Sequence, residues 1–512
     1  MIYRVALTTL GVLAAIVLWQ TLSVLNADSF VIAGPVEVAL WLKANAGLVA
    51  RATVATLSAA FWGFVSGNLV AVAIAALVIV VPRTERLVSF AALVVFCLPL
   101  VATGPILRVL YGTGAGPQIT LAALATYYTT YLALVVGLRA VPAGWTDLVR
   151  LYGRGPLTAL RVVRMRACVP YLLAGLQIAA PAAVLGAMVG EFTGAERGLG
   201  VLTLRAMRSL DVVATWGIAA VAATVSIFAY LAIGPLSRLR GDGPPVLILS
   251  AGSPDARASF ALRTVEAIGV TVVLVLVWQI AMDAFGLPQF FAKRPGDILT
   301  YLRDPTASDT LLAALWETLV WTVPGYAAGL LLGAGLAAAL TLVPRAVGLV
   351  LPLAVMLRSV PIITTAPLLV LALGRGAAGT ISIVAILIFF PSFVACLYGL
   401  AQTPGQVRDV FASYGAGRLR LLISAQIPAM LPSFFASARM AVPAALLAVT
   451  TTEWLATGRG IGTLMALTAS TSDYNMLWSA VVAVSLIAVI AYLLVEAIER
   501  RVLGRYAAEQ LA

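Results

Sequence analysis

The sequence predicts an all-α membrane protein of about 12 transmembrane helices, arranged as two parallel six-helix repeats. Three observations predict it. The first is composition: the 512 residues are 62% hydrophobic and only 11% charged, with a mean hydropathy of +1.03. Soluble domains carry about 25% charged residues, so a water-soluble class is excluded. The second is a succession of apolar runs of the ~20 residues that a bilayer crossing requires. The third is an internal repeat at a constant offset of 262 residues. Gly137-Leu138, Pro142, Asp147, Tyr152-Gly153, Gly155, Pro170, Pro181, Glu191 and Gly198/Gly200 return as Gly399-Leu400, Pro404, Asp409, Tyr414-Gly415, Gly417, Pro432, Pro443, Glu453 and Gly460/Gly462. Between 137 and 200 the register holds without a gap, and 21 of 64 paired positions are identical. An Ala/Leu/Val-rich composition supplies some identities by chance, but not aligned Pro, Gly, Asp and Glu. The chain is two copies of one membrane unit, with the expected solute path between them.

In the first half the apolar runs lie near 5–25, 54–81, 87–111, 117–138, 169–191 and 212–235. In the second they lie near 264–285, 315–343, 347–373, 379–400, 431–453 and 475–497. The first run follows Arg4 in the manner of a signal peptide, but it is long for one and lacks a small-x-small cleavage site. Its Trp19-Gln20 also returns as Trp278-Gln279, so it is expected to remain in the mature protein. The domain boundaries expected are 1–238 for the first repeat and 264–512 for the second. Between them, 239–263 is a cytoplasmic linker holding the Gly/Pro/Ser-containing stretch 241–259.

Charge sets the orientation. Lys43 and Lys293 are the only lysines, so the net charge of +12 is almost all arginine. Such a balance can mark a nucleic-acid binder, yet these arginines sit between the apolar runs, and no nucleic-acid partner is expected. The segment 139–167 holds Arg139, Arg150, Arg154, Arg161, Arg164 and Arg166 against Asp147 alone. The 238–263 connection and the C-terminal tail are also arginine-rich, while the opposite loops are balanced. Arginine-rich loops stay cytoplasmic, which puts both termini on the cytoplasmic side, with the bilayer as the surrounding partner. An even number of spans per half makes the two halves parallel.

Catalytic chemistry has no foothold. The chain has no histidine, and Cys97, Cys168 and Cys396 are isolated, so neither a metal set nor a His-based acid/base pair is expected. Neither lysine follows a Gly-x-x-x-x-Gly pattern, so there is no phosphate loop. The expected cofactor content is none, and no catalytic residue is assigned.

The loop between the fourth and fifth runs reads Asp-Leu-Val-Arg-Leu-Tyr-Gly at 147–153 and Asp-Val-Phe-Ala-Ser-Tyr-Gly at 409–415, and the second copy continues to Ile427-Pro428. On these residues the chain resembles the permease subunits of binding-protein-dependent ABC importers. Their signature is Glu-Ala-Ala, three residues, Gly, nine residues, then Ile-x-Leu-Pro. Here Asp replaces Glu, the alanines are bulkier, and the first copy has Met165-Arg166 where Leu-Pro is expected. The segments 357–376 and 96–114, with the Glu-to-Gly-x-Gly endings at 190–200 and 452–462, are similar to nitrate/sulfonate/taurine-type members. Those are usually single six-span chains that pair, whereas here two are fused.

The resemblance implies the type I ABC importer permease fold, two separate ABC ATPase subunits binding ATP and Mg, and an extracytoplasmic solute-binding protein. It also implies that Asp147, Tyr152, Gly153, Gly155, Asp409, Tyr414, Gly415, Gly417 and Pro428 belong to ATPase-coupling loops. A helix at about 154–163 and 416–425 would then sit in a groove of each ATPase. An arginine-rich loop that only enforces topology is the plainer alternative.

Glu191 and Glu453 end the fifth span of each half and are candidates for an outer gate, or else for a helix-end contact. Arg358 lies inside an apolar run, where a charge usually faces a cavity. It is either an anion site or a charge satisfied by carbonyls at the Pro361 break. Pro99, Tyr127, Tyr128 and Phe390 are further pathway candidates, with helix packing as the alternative for the aromatics. The expected solute is a small anion such as a sulfonate, taurine or nitrate. A thiamine-precursor-like heterocycle is the alternative for the same machinery. An ion-coupled secondary transporter is the remaining class, but it would place Asp, Glu or Lys mid-membrane, where this chain has almost none.

Overall fold

A computed structural model of the chain describes residues 32–112, 114–141, 143–238, 260–343 and 376–506, with isolated positions between 16 and 25 and between 346 and 374. All regular structure among these residues is helical. That follows from the solvent: inside a bilayer every backbone N–H and C=O must be paired within the chain, and an α-helix does so without a partner.

Eight described helices are long and apolar enough to cross a membrane, or nine if one bent pair counts as a single span. In the first half these are Ala46–Val80, Gly116–Arg139, Leu160–Phe192 and Val212–Pro235. In the second they are Pro305–Leu342, Ala377–Ala401, Arg418–Thr457 and Tyr474–Arg505. Each covers one of the expected runs. The run at 264–285 forms the helix Phe260–Ala284. The runs at 5–25 and 347–373, and the linker stretch 241–259, lie largely or wholly outside the described residues.

The run at 87–111 departs from expectation. It is not one straight span. The helices Pro82–Phe96 and Leu100–Tyr111 meet at 90°, with Cys97, Leu98 and Pro99 between them. Pro99 removes a backbone donor and disfavours helical geometry at the residue before it, so the break falls there.

The repeat extends to local irregularities. Short helices Ala143–Leu151 and Gly405–Ser413 are equivalent at the 262 offset. So are the π-helical turns Leu160–Arg164 and Leu422–Gln426. The second π turn precedes Pro428, but the first precedes Arg166, so the proline is not the cause of the turn.

Small residues set how closely helices approach within each half. Gly325, Gly329 and Gly333 form a one-face stripe on Pro305–Leu342. A Cβ there would lie 2.8, 2.6 and 2.8 Å from the carbonyl oxygens of Ile381, Ala385 and Phe389. Gly63 and Gly67 hold the equivalent places against Gly116–Arg139, with Ala71 standing where Gly333 does. Lipid tails are as apolar as leucine, so close backbone contact of this kind is the main adhesive between spans. The largest buried cluster combines Tyr127, Tyr128, Ala102 and Ile106 of the first half with Ala441, Leu446, Leu477 and Val481 of the second. The two halves therefore share a core.

Tryptophans dock the first span of each repeat on its last. Trp19 stacks on Trp216 at 5.4 Å, and Trp278 stacks on Trp478 at 5.5 Å. Trp216 and Trp478 keep the 262 offset, which ties the Trp19-Gln20 and Trp278-Gln279 repeat to a shared contact.

Candidate functional site

The loops after the fourth spans are built alike. Ala143–Leu151 ends where Gly153 N–H donates to the Arg150 carbonyl (2.9 Å) and Arg154 N–H to the Val149 carbonyl (3.1 Å). In the second copy Gly415 N–H donates to Ala412 (3.0 Å) and Ala416 N–H to Phe411 (2.9 Å). These are two copies of a Schellman C-cap. Gly153 and Gly415 sit at φ +67° and +65°, a left-handed conformation that a side chain disfavours. Gly155 and Gly417 then open the short helices Pro156–Ala159 and Arg418–Leu421. These run through the π turns into Met165–Phe192 and Ile427–Thr452, with Pro428 in the first turn of the latter. The stretch expected at 154–163 and 416–425 is therefore the root of a membrane helix. The separate short helix lies on the other side of each glycine.

That separate helix carries an exposed apolar face in both copies. Trp145, Leu148 and Tyr152 are spaced i, i+3, i+7 and exposed, Tyr152 to 77%. Val407, Val410 and Tyr414 repeat the spacing, with Tyr414 exposed to 86%. Asp147 and Asp409 are exposed beside them. Asp147 meets Arg150 at 3.5 Å, a surface pair of little energetic weight.

At the opposite end of the same long helices stands a second duplicated arrangement. The Glu191 carboxylate accepts from Thr56 Oγ1 (2.6 Å) and from Gly200 N–H (2.6 Å), while Leu199 N–H donates to the same Thr56 oxygen (2.9 Å). Glu453 accepts from Thr318 Oγ1 (2.8 Å) and Gly462 N–H (2.9 Å), and Ile461 N–H donates to Thr318 (2.9 Å). Every partner keeps the 262 offset. Both carboxylates are buried, and each caps the start of the next helix, Leu199–Arg208 or Gly460–Ser470, where unpaired N–H groups attract an anion. A Cβ at Gly198 or Gly460 would collide with the carboxylate it faces. This is the physical content of the Glu-to-Gly-x-Gly endings. Thr56 and Thr318 were missed by sequence reasoning; their shared offset was the available signal.

The pathway candidates separate. Tyr127 and Tyr128 are buried. Tyr127 donates its hydroxyl hydrogen to the Ala92 carbonyl, and Tyr128 stacks on Phe96 at 4.4 Å. Pro99 stands at the bend beside them. Phe390 packs edge-on to Phe389 at 4.9 Å within a different cluster. The structure thus does not bring Phe390 to the tyrosines. Arg358 and Pro361 lie outside the described residues.

One buried ion pair escaped sequence reasoning. Arg439, deep in Ile427–Thr452, lies 3.0 Å from Glu499, both buried, with its guanidinium 5.9 Å from the Tyr492 ring centroid. Gln177 and Ser237 hold the equivalent places in the first half. An arginine inside an apolar run was the signal, as it was for Arg358. Among the described residues no group of three or more His, Cys, Asp or Glu side chains could hold a metal.

Residues 67–238 and 329–504 each match the family of binding-protein-dependent transport system inner membrane components. A probable ABC transporter permease protein of Haemophilus influenzae is 32% identical over 40% of this chain and 82% of its own length. A formylaminopyrimidine transport permease protein of Halalkalibacterium halodurans is 30% identical over 37% of this chain and 76% of its own. A riboflavin transport system permease protein of Chloroflexus aurantiacus is 27% identical over 44% and 85%. No solved structure matches the chain significantly.

Proposed function

Since the chain belongs to the family of binding-protein-dependent transport system inner membrane components and carries the family domain twice, we propose that its two halves, 1–238 and 264–512 joined by 239–263, enclose one solute path without a second permease chain. The protein is a multi-pass membrane subunit of an ABC importer and is not itself an enzyme. An extracytoplasmic binding protein delivers the solute, and two ATPase subunits drive the cycle from the cytoplasmic face, where both termini also lie.

The observation that carries the docking assignment is the duplicated capped helix. The Trp145/Leu148/Tyr152 and Val407/Val410/Tyr414 faces are apolar, exposed and outside the spans, and topology requires neither of them. The glycines fix the angle at which each helix meets the root of a membrane helix, so closure of the ATPase pair would rock the two halves. The test is purification of the chain with its ATPase partner. The native chain should retain two ATPase copies. A Gly153→Val/Gly415→Val double variant should lose them or lose ATP-driven uptake. Full coupling in that variant would overturn the assignment.

For the solute we propose a small anion, on the arginine at 358 and the likeness of 357–376 to nitrate/sulfonate/taurine-type permeases. A charge in a span costs at least ~2.5 kcal/mol, and a guanidinium fork matches sulfonate or carboxylate oxygens. Two relatives carry the names of formylaminopyrimidine and riboflavin permeases, which favours a heterocycle as the second reading. Calorimetric screening of the partner binding protein decides between them, followed by uptake with Arg358→Ala. Binding of heterocycles alone, or normal uptake by the variant, would remove the anion site.

A further inference from the structure

Phe192 and Trp454 are 262 residues apart, so they occupy the same place in the two repeats. They also touch: their rings meet edge to face with centroids 5.7 Å apart. Two parallel repeats are related by an axis along the membrane normal. A residue can meet its own counterpart only where that axis passes. The pair therefore marks the axis, at the end of Met165–Phe192 opposite the Gly153 and Gly415 loops.

The surroundings are apolar and drawn from both halves. Phe192 is buried; Trp454, Leu455 and Leu447 of the second half pack into the core of the first. Leu185 of the first half packs in turn against Val370 and Ile383 of the second. Directly before each ring stands a clamped glutamate, Glu191 or Glu453, tied to the following helix by the threonine and glycine bonds described above. The second ring rides on a π turn, Glu453–Thr457, whereas the first ends a regular helix. Such turns are local unwindings that recur at functional sites.

We propose that Phe192 and Trp454 are the two leaves of a gate that closes the solute path at this end. Glu191 and Glu453 are positioning residues that hold each leaf to the helix behind it. The gate rests on the reading of the axis as the path. An edge-to-face aromatic pair suits the task, because it excludes water by bulk and carries no polar bond that must be broken to open it.

The test uses the full chain in membranes. A Phe192→Cys/Trp454→Cys variant is treated with a short bis-methanethiosulfonate linker; the native Cys97, Cys168 and Cys396 are buried. After cleavage at a protease site inserted within 239–259, the halves should migrate as one linked band. In the second arm, proteoliposomes are placed in erythritol and their swelling followed by light scattering. Phe192→Ala/Trp454→Ala vesicles should swell several-fold faster than native ones. Phe192→Trp/Trp454→Phe vesicles should stay as tight as native. Halves that remain unlinked overturn the gate, and so do alanine vesicles no leakier than native ones at equal thermal stability. Neither arm uses ATPase, binding protein or solute, so loss of the docking or anion assignment leaves both readouts untouched.

Discussion

At the scale of single residues, the threonine in each clamp does two jobs with one oxygen. Thr318 donates to Glu453 and accepts from Ile461 N–H, as Thr56 does for Glu191 and Leu199. Removing a buried partner costs more than the bond contributes, because the remaining groups stay desolvated, at about 1–3 kcal/mol each. Thr318→Val keeps the volume but strips both bonds. It should therefore lower the thermal midpoint of the detergent-solubilised protein by several degrees, with Thr56→Val close behind and Thr318→Ser near native. Unchanged melting of Thr318→Val would show that the clamp contributes nothing to the fold. The glutamates were legible from the repeat, because an acid aligned at the end of an apolar run is rare. The threonines were not, since Thr is common in spans and its partner lies 135 residues away. Arg439 sat in plain view as a charge in an apolar run, but its partner Glu499 lies just beyond the run 475–497, and pairing across two helices is invisible to a one-dimensional reading.

At the scale of elements, hydropathy located the spans because burying a peptide group in lipid leaves the chain no choice but helix. Eight of the described helices fall on expected runs within several residues at the core of each span. What hydropathy does not encode is direction. The run 87–111 has the length and apolarity of a single span, yet its axis turns by 90° at Cys97–Pro99; only the proline hinted at it. The loop helices show a second kind of loss. Sequence reasoning placed the separate helix after Gly153 and Gly415, whereas it precedes them. The i, i+3, i+7 spacing of Trp145, Leu148 and Tyr152 was the readable sign. A span prediction does not weigh it, because the segment is short and flanked by charge.

At the scale of the whole molecule, two copies of one unit in a single chain are free to diverge, and they have. The loop after the fourth span of the first half carries Arg150, Arg154, Arg161, Arg164 and Arg166, and its counterpart in the second half carries Arg408, Arg418 and Arg420 with Pro428. The glycines at the centre of each loop have nearly the same geometry, φ +67° and +65°, with open space where a side chain would go. Gly153→Val and Gly415→Val therefore impose the same local strain, on the order of 1–2 kcal/mol. Any difference between their effects must come from what surrounds the turn. On the proposed docking, five arginines would hold the ATPase by charge even when the helix angle is disturbed, and that attraction is screened by salt. The Gly415→Val variant should thus lose more transport-coupled ATP hydrolysis than Gly153→Val at low ionic strength. Raising the salt should narrow the gap by weakening the first loop. Equal losses at every ionic strength would mean that the two loops dock alike and that their unequal arginine content has no part in coupling.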